Sequence, residues 1–205
     1  MTQITTQEQR LDFLIRYLLI EKEEYRDIEI PADKQEKQHL LRSLMNVRPP
    51  VPARAEFLKI QDDYLQERIE KCGVTKLEDL TPVQPGIYLW QGDITTLAAD
   101  AIVNAANSLM LGCFVPCHGC IDNAIHTYAG IQLRLECAKL MAAHGLQSIA
   151  FCCISTGEFH FPGELAAKIA IQTVKTWQQQ NPNQIEVIFN VFKDSDYKIY
   201  KHLLR

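Results

Sequence analysis

No apolar run in this sequence is long enough to cross a bilayer. The longest near the N-terminus, "LDFLIRYLLI", is interrupted by Asp12 and Arg16, and no small-residue cleavage site follows it. That excludes a spanning helix and a secretory signal. An excess of positive charge is lacking too. Lys and Arg number 21 against 25 Asp and Glu, and the formal net charge of −4 gives no electrostatic case for nucleic-acid binding. Neither a membrane nor a nucleic acid is therefore an expected partner. Repeats and low-complexity tracts are absent, and 47% of the 205 residues are hydrophobic, enough to bury one domain with an appendage or two small domains. Seven cysteines without an export signal point to a reducing, cytoplasmic setting, where thiols serve as core residues, metal ligands or nucleophiles instead of disulfides.

The texture of the chain changes once, near residue 80. Before it, apolar residues recur at helical spacing in three stretches: Leu11, Leu14, Leu18 and Leu19 with Tyr17; Leu40, Leu41, Leu44 and Met45; and Phe57, Leu58, Ile60, Tyr64, Leu65 and Ile69. Pro31 stands near the start of the second helix, "RPPVP" ends it, and Gly73 sits where the third would stop. Residues 1–80 are expected to form a helical extension with a supporting or partner-facing role, since they hold no chemical cluster. Residues 81–205 alternate short β-rich runs ("GIYLWQ", "ADAIVNAAN", "SIAFCCIS", "IEVIFNVF") with helical ones. Such alternation predicts an α/β domain, a mixed central sheet between helices in three layers. Ligands of these sheets bind at the carboxyl ends of the strands, where "GD", "NAAN" and "STGEF" fall.

The densest chemistry lies in "NSLMLGCFVPCHGCIDNAIH", residues 107–126. Three cysteines and a histidine occupy eight residues, with Pro116 and Gly119 marking a loop just before a helix. Elsewhere each residue has two readings. Residues 155–159 follow a buried strand and precede a helix, so their backbone N–H groups can converge on an anion such as a diphosphate, or form an ordinary turn. Asp93 reads as a turn residue after a strand. Asn104 and Asn107 offer amides suited to sugar hydroxyls, or caps. Phe192 is a candidate stacking ring or a core residue. Cys72, Cys137, Cys152 and Cys153 read as small hydrophobes, and His126 and His160 as packing or surface groups.

Taken together, "GDIT…DAIVNAANS", "IDNAIH" and "SIAFCCISTGEFHFP" resemble the ADP-ribose-binding macrodomain, and "GCFVPCHGCIDN" with the helical extension is similar to its zinc-dependent bacterial subfamily. The resemblance implies that Asp93 accepts a hydrogen bond from the adenine amino group beside the backbone of Ile94. It places Asn104 and Asn107 near the distal ribose, counts Ile121 among the ADP-ribose contacts, and sets Ser155, Thr156, Gly157, Glu158 and Phe159 around the diphosphate. Most macrodomains carry glycines in the loop before the helix, whereas here Cys113, His118 and Cys120 match zinc-ligand positions. Three ligands leave zinc an open position, the catalytic arrangement, while a closed site that also uses Cys117 would be structural.

Implied function is hydrolysis of the ester between the distal ribose and a protein Asp or Glu, with Asp122 and Asn107 at the reacting centre. A sirtuin-type ADP-ribosyltransferase and a lipoyl-carrier protein of the glycine-cleavage type are the implied partners. An ADP-ribose-binding module without catalysis, or a structural zinc protein, are the rival functions. One departure stands out. Between "LECAKLM" and "AHGLQSIAF" related chains carry a long segment with a further central strand and a helix. Losing a central strand would cost far more than a marginal stability of ~5–15 kcal/mol. The expectation is a break between Lys139 and Gly145, with a Cα–Cα step well above ~3.8 Å.

Overall fold

A computed structural model describes residues 4–106, 111–133, 148–154, 156, 162–180 and 185–205. The expected break between Lys139 and Gly145 lies outside them. Two compact units interleave in sequence: Met1–Cys72 with Ala106–Met141, and Gly73–Ala105 with Ala142–Arg205. The helical extension thus contributes to the first unit as far as Cys72, and that unit also takes in the cysteine-rich loop and the helix after it.

In the first unit α1 (Gln7–Ile20), α2 (Lys34–Val47) and α3 (Ala55–Cys72) follow the apolar spacing. A reciprocal cap opens α1, with Gln9 N–H donating to Thr6 Oγ1 and Thr6 N–H donating to Gln9 Oε1. Helix α2 begins three residues after Pro31, because the Asp33 carboxylate accepts from the N–H groups of Gln35 and Glu36 and fixes the first turn there. Its end is closed by the buried guanidinium of Arg48, which donates to both Glu21 oxygens at 2.7 and 2.8 Å and to the carbonyl of Val51 at 2.7 Å. Gly73, at φ +82, lets the chain turn out of α3. Leu11, Leu14, Ile15, Leu18, Leu41, Leu44, Phe57 and Ile131 form the apolar centre. Side chains of this size contribute about 1.5–3 kcal/mol each when fully buried.

The second unit is built on a mixed sheet. Strands β1 (Thr75–Lys76) and β4 (Leu97–Ala98) make a small parallel pair. The main sheet contains β2 (Pro82–Gln84), β3 (Ile87–Gln91), β5 (Ala101–Val103), β6 (Ser148–Phe151) and β7 (Glu186–Val191), in the order β2-β3-β7-β6-β5. Among the described residues only the β2–β3 pairing is antiparallel. Helices α5 (Gly163–Gln180) and α6 (Asp194–Leu203) supply Ala167, Ile171 and Tyr200 against Ile87, Val187, Phe189 and Val191. Because β3, β7, β6 and β5 run parallel, their carboxyl ends share one edge. The residues after β3, β5 and β6 therefore lie along that edge, where such sheets take ligands.

Candidate functional site

Helix α4 (Ile121–Tyr128) organises the chemistry of the first unit. Its N-cap is Cys120, whose Sγ accepts from the Asn123 N–H at 3.4 Å. Cys113 Sγ lies 3.5 Å from His118 Nδ1, and the ligand atoms of Cys113, His118 and Cys120 all fall within 4.8 Å of one another. Bonds of about 2.3 Å to sulfur and 2.0–2.1 Å to nitrogen around a tetrahedral ion imply donor separations of roughly 3.5–3.8 Å, so this set fits one soft-to-borderline divalent metal. Burial pushes the Cys120 thiol up from its ordinary value, and nearby Cys113 adds to this against the opposing Asn123 N–H. A bound cation reverses that balance, since a metal ligates the thiolate and displaces the proton.

Cys117 does not join the cluster. Its backbone is left-handed at φ +50, and its thiol stands 3.2 Å from Ser43 Oγ and donates to the His39 carbonyl at 3.4 Å. Asp122 and His126 are buried one turn apart on α4, with Nε2 of the histidine 3.5 Å from Oδ1 of the aspartate. Gly112, at φ +85, runs over the imidazole so closely that a Cβ there would lie 2.6 Å from the His126 ring. Ile121, half-buried, begins the helix.

In the second unit Asp93 follows β3 and caps a single 3₁₀ turn, Ile94–Thr96, accepting from Thr95 N–H at 2.9 Å and Thr95 Oγ1 at 2.7 Å. Ile94 is buried beneath it. Gly92, just before it, has room for no side chain: a Cβ would meet the Trp90 ring at 2.4 Å. Asn104 follows β5 and is half-buried, and Thr156, beyond β6, donates its hydroxyl to the Cys153 carbonyl at 3.2 Å. Phe192, one residue past β7, is 75% exposed, so it is not core. Cys152 and Cys153 lie just beyond β6, half-buried, not within the strand. Asn107, Ser155, Gly157, Glu158, Phe159 and Cys137 lie outside the described residues.

The structure thus gathers Cys113, His118, Cys120, Ile121 and Asp122 in one unit, and aligns Asp93, Ile94, Asn104 and Thr156 along the sheet edge of the other. Sequence reasoning missed Arg42, Asn46 and Asn123, which tie α2 to the cysteine-rich loop, and the pairing of His126 with Asp122. The i, i+4 spacing of Asp122 and His126 on a short helix was the available signal for the last.

A Macro domain family model matches residues 103–145 and 138–170. The chain is 43% identical to the protein-ADP-ribose hydrolase of Treponema medium, over 97% of this chain and 99% of that protein. It is 36% identical to the protein-ADP-ribose hydrolase of Staphylococcus aureus strain Mu50, over 100% and 98%. The solved Trypanosoma brucei macrodomain in complex with ADP-ribose is similar at a TM-score of 0.58 and 25% identity, over 80% of this chain and 95% of that one. The alignment with the Treponema protein spans 259 residues against the 205 of this chain, so the relative carries residues within the match that have no counterpart here.

Proposed function

The chain belongs to the macrodomain family of protein-ADP-ribose hydrolases, and from that premise we propose that it frees protein Asp and Glu side chains from ester-linked ADP-ribose, with a zinc ion held by Cys113, His118 and Cys120. The enzyme is a hydrolase of ADP-ribosylated protein. The observation that carries the finer reading is the convergence of two thiols and one imidazole two residues before the buried Asp122. Three protein ligands are the signature of an open site, and zinc bound there supplies Lewis-acid polarisation of an oxygen, either a distal-ribose hydroxyl or a water.

The remaining work falls to this chain's own groups. Asp122 accepts a hydrogen bond from the attacking water, orienting or deprotonating it, while His126 steadies the carboxylate from one turn away. Hydrolysis consumes one water and returns free ADP-ribose and the side-chain carboxylate. Because the ester is intrinsically labile, positioning can provide much of the acceleration. Asn104 and Asn107 take the distal ribose, the backbone of Ser155 to Phe159 takes the diphosphate, and Asp93 takes the adenine amino group beside Ile94. A sirtuin-type ADP-ribosyltransferase is the proposed opposing enzyme and a lipoyl-carrier protein of the glycine-cleavage type the proposed substrate. The test is a release assay on aspartate-modified protein, before and after chelation and with zinc restored. Loss and recovery of ADP-ribose release are expected. Release unaffected by stoichiometric metal removal overturns zinc dependence, and binding of free ADP-ribose with no release at any zinc level marks a binding module instead.

A further inference from the structure

One face of α2 is spent almost entirely on the cysteine-rich loop. The guanidinium of Arg42 reaches across 76 positions of sequence to donate from Nη2 to the His118 carbonyl at 3.0 Å. It also donates from Nε and Nη2 to Asn123 Oδ1 at 3.2 and 2.7 Å. Asn123 is fully buried and spends two more groups on the same loop, its N–H on Cys120 Sγ and its amide nitrogen on the Val115 carbonyl at 3.0 Å, while its carbonyl accepts from Thr127 Oγ1 at 2.7 Å. One turn further along α2, buried Asn46 accepts from the Cys117 N–H at 3.0 Å and donates to Thr127 Oγ1 at 2.9 Å. The ligand residues His118 and Cys120 are thereby held at their backbones or thiol by a single charged group on a helix that carries no ligand.

We propose that Arg42 is a positioning residue for the metal: it fixes His118 directly and Cys120 through Asn123, so that α2 sets the affinity and geometry of the three-ligand site. This rests on the zinc reading above. Partners that orient ligands are worth roughly 10–100-fold in metal affinity when removed. A planar fork is required, because one donor group must serve two oxygens at once, and the point charge of lysine cannot reproduce that.

The experiment compares wild type, R42A, R42K and R10A by competition with a chromophoric zinc chelator and by the absorption of the cobalt(II)-substituted proteins. R10A is the control, since it breaks the Arg10–Glu67 pair of 2.6 Å between α1 and α3, away from the loop. The expected result is one metal bound by wild type and R10A with equal affinity. R42A should bind roughly 10–100-fold more weakly with an altered cobalt d–d spectrum, and R42K should fall between. Wild-type affinity and spectrum in R42A overturn the positioning role and leave the zinc reading intact. Equal weakening in R10A overturns it as well, by showing a general effect of stability. A wild-type protein that takes up no stoichiometric metal removes the zinc reading itself. If circular dichroism shows R42A unfolded, R42K decides alone: folded and weakened supports the proposal, folded and wild-type-like overturns it.

Discussion

The cysteine-rich loop and the carboxyl edge of the sheet differ in what holds their functional groups. At the sheet edge, strand register comes first: Asp93 is capped locally by Thr95, two residues away, and Thr156 bonds Cys153, three away, while Asn190 of the adjacent strand β7 donates to the Gly92 carbonyl at 3.1 Å. In the loop, position comes from side chains tens of residues distant, with Arg42, Asn46 and Ser43 all reaching from α2. Parallel ladders impose geometry on whatever follows them, whereas a loop with neither helix nor strand has to borrow it. The loop is thus the region whose geometry mutations on α2 should disturb.

The sharpest way to break this contrast is at the metal ligands. Cys120→Ala is expected to lower ADP-ribose release by orders of magnitude while free ADP-ribose still binds by calorimetry, because the proposed function gives the cluster to chemistry and the sheet edge to binding. A metal-free Cys120→Ala protein with wild-type release would defeat the assignment, provided circular dichroism shows both proteins folded.

The sheet edge has its own separation of roles. Asp93→Ala removes both the 3₁₀ cap and the carboxylate, so it should cost about 1 kcal/mol in thermal or urea unfolding and also weaken ADP-ribose binding. Asp93→Asn keeps a capping oxygen and should restore the stability without restoring the affinity. Recovery of both together would reduce Asp93 to a structural residue.

A third substitution probes the borrowed geometry away from any ligand. Gln61, fully buried on α3, accepts from the Ile131 N–H at 2.9 Å and donates to Gln132 at 2.7 Å. Gln61→Leu leaves that buried N–H without its acceptor and should cost about 1–3 kcal/mol in denaturant unfolding, with zinc content unchanged.

The smallest effects concern the thiols outside the cluster. Cys117→Ala should change neither metal content nor release by more than about twofold, since its thiol faces Ser43 and His39. Cys153, pushed up to about 12 by burial with Asp196 and Cys152 adding to it, should resist iodoacetamide at neutral pH while exposed Cys72 reacts. Its raised value favours the folded state below the ordinary thiol range, a contribution lost as pH climbs from 9.0 towards about 12.

What could be read in advance divides along the same line. The helices of the first 72 residues were legible because burial repeats with the helical period, and the main strands because covered strands are apolar on successive positions. Pro31 marked the neighbourhood of the start of α2, and the exact first turn is fixed three residues later by the Asp33 side chain, which captures two of its N–H groups. Short strands such as β1 and β4, two residues each, are too brief to show any period. The clustering of Cys113, His118 and Cys120 was foreshadowed by residue type, spacing and the family resemblance. Arg42 and Asn46 were not, because a polar residue on an amphipathic helix carries no mark of whether it faces solvent or a partner 71 to 81 positions away.

The interleaving of the two units also constrains the order in which the molecule can form. Arg42 and Gln61 leave the ribosome long before their partners at 118, 123 and 131, and at about 5–20 residues per second the wait lasts several seconds. During that interval α1, α2 and α3 can associate through their apolar centre before the loop that Arg42 and Asn46 hold has been made. The strands from β1 to β5 emerge in between, ahead of β6 and β7, the strands that β5 and β3 pair with. Closure of such distant contacts makes for slow, late-completing folding, and within the first unit the cysteine-rich loop finds its α2 partners only after more than seventy further residues have been added to the chain.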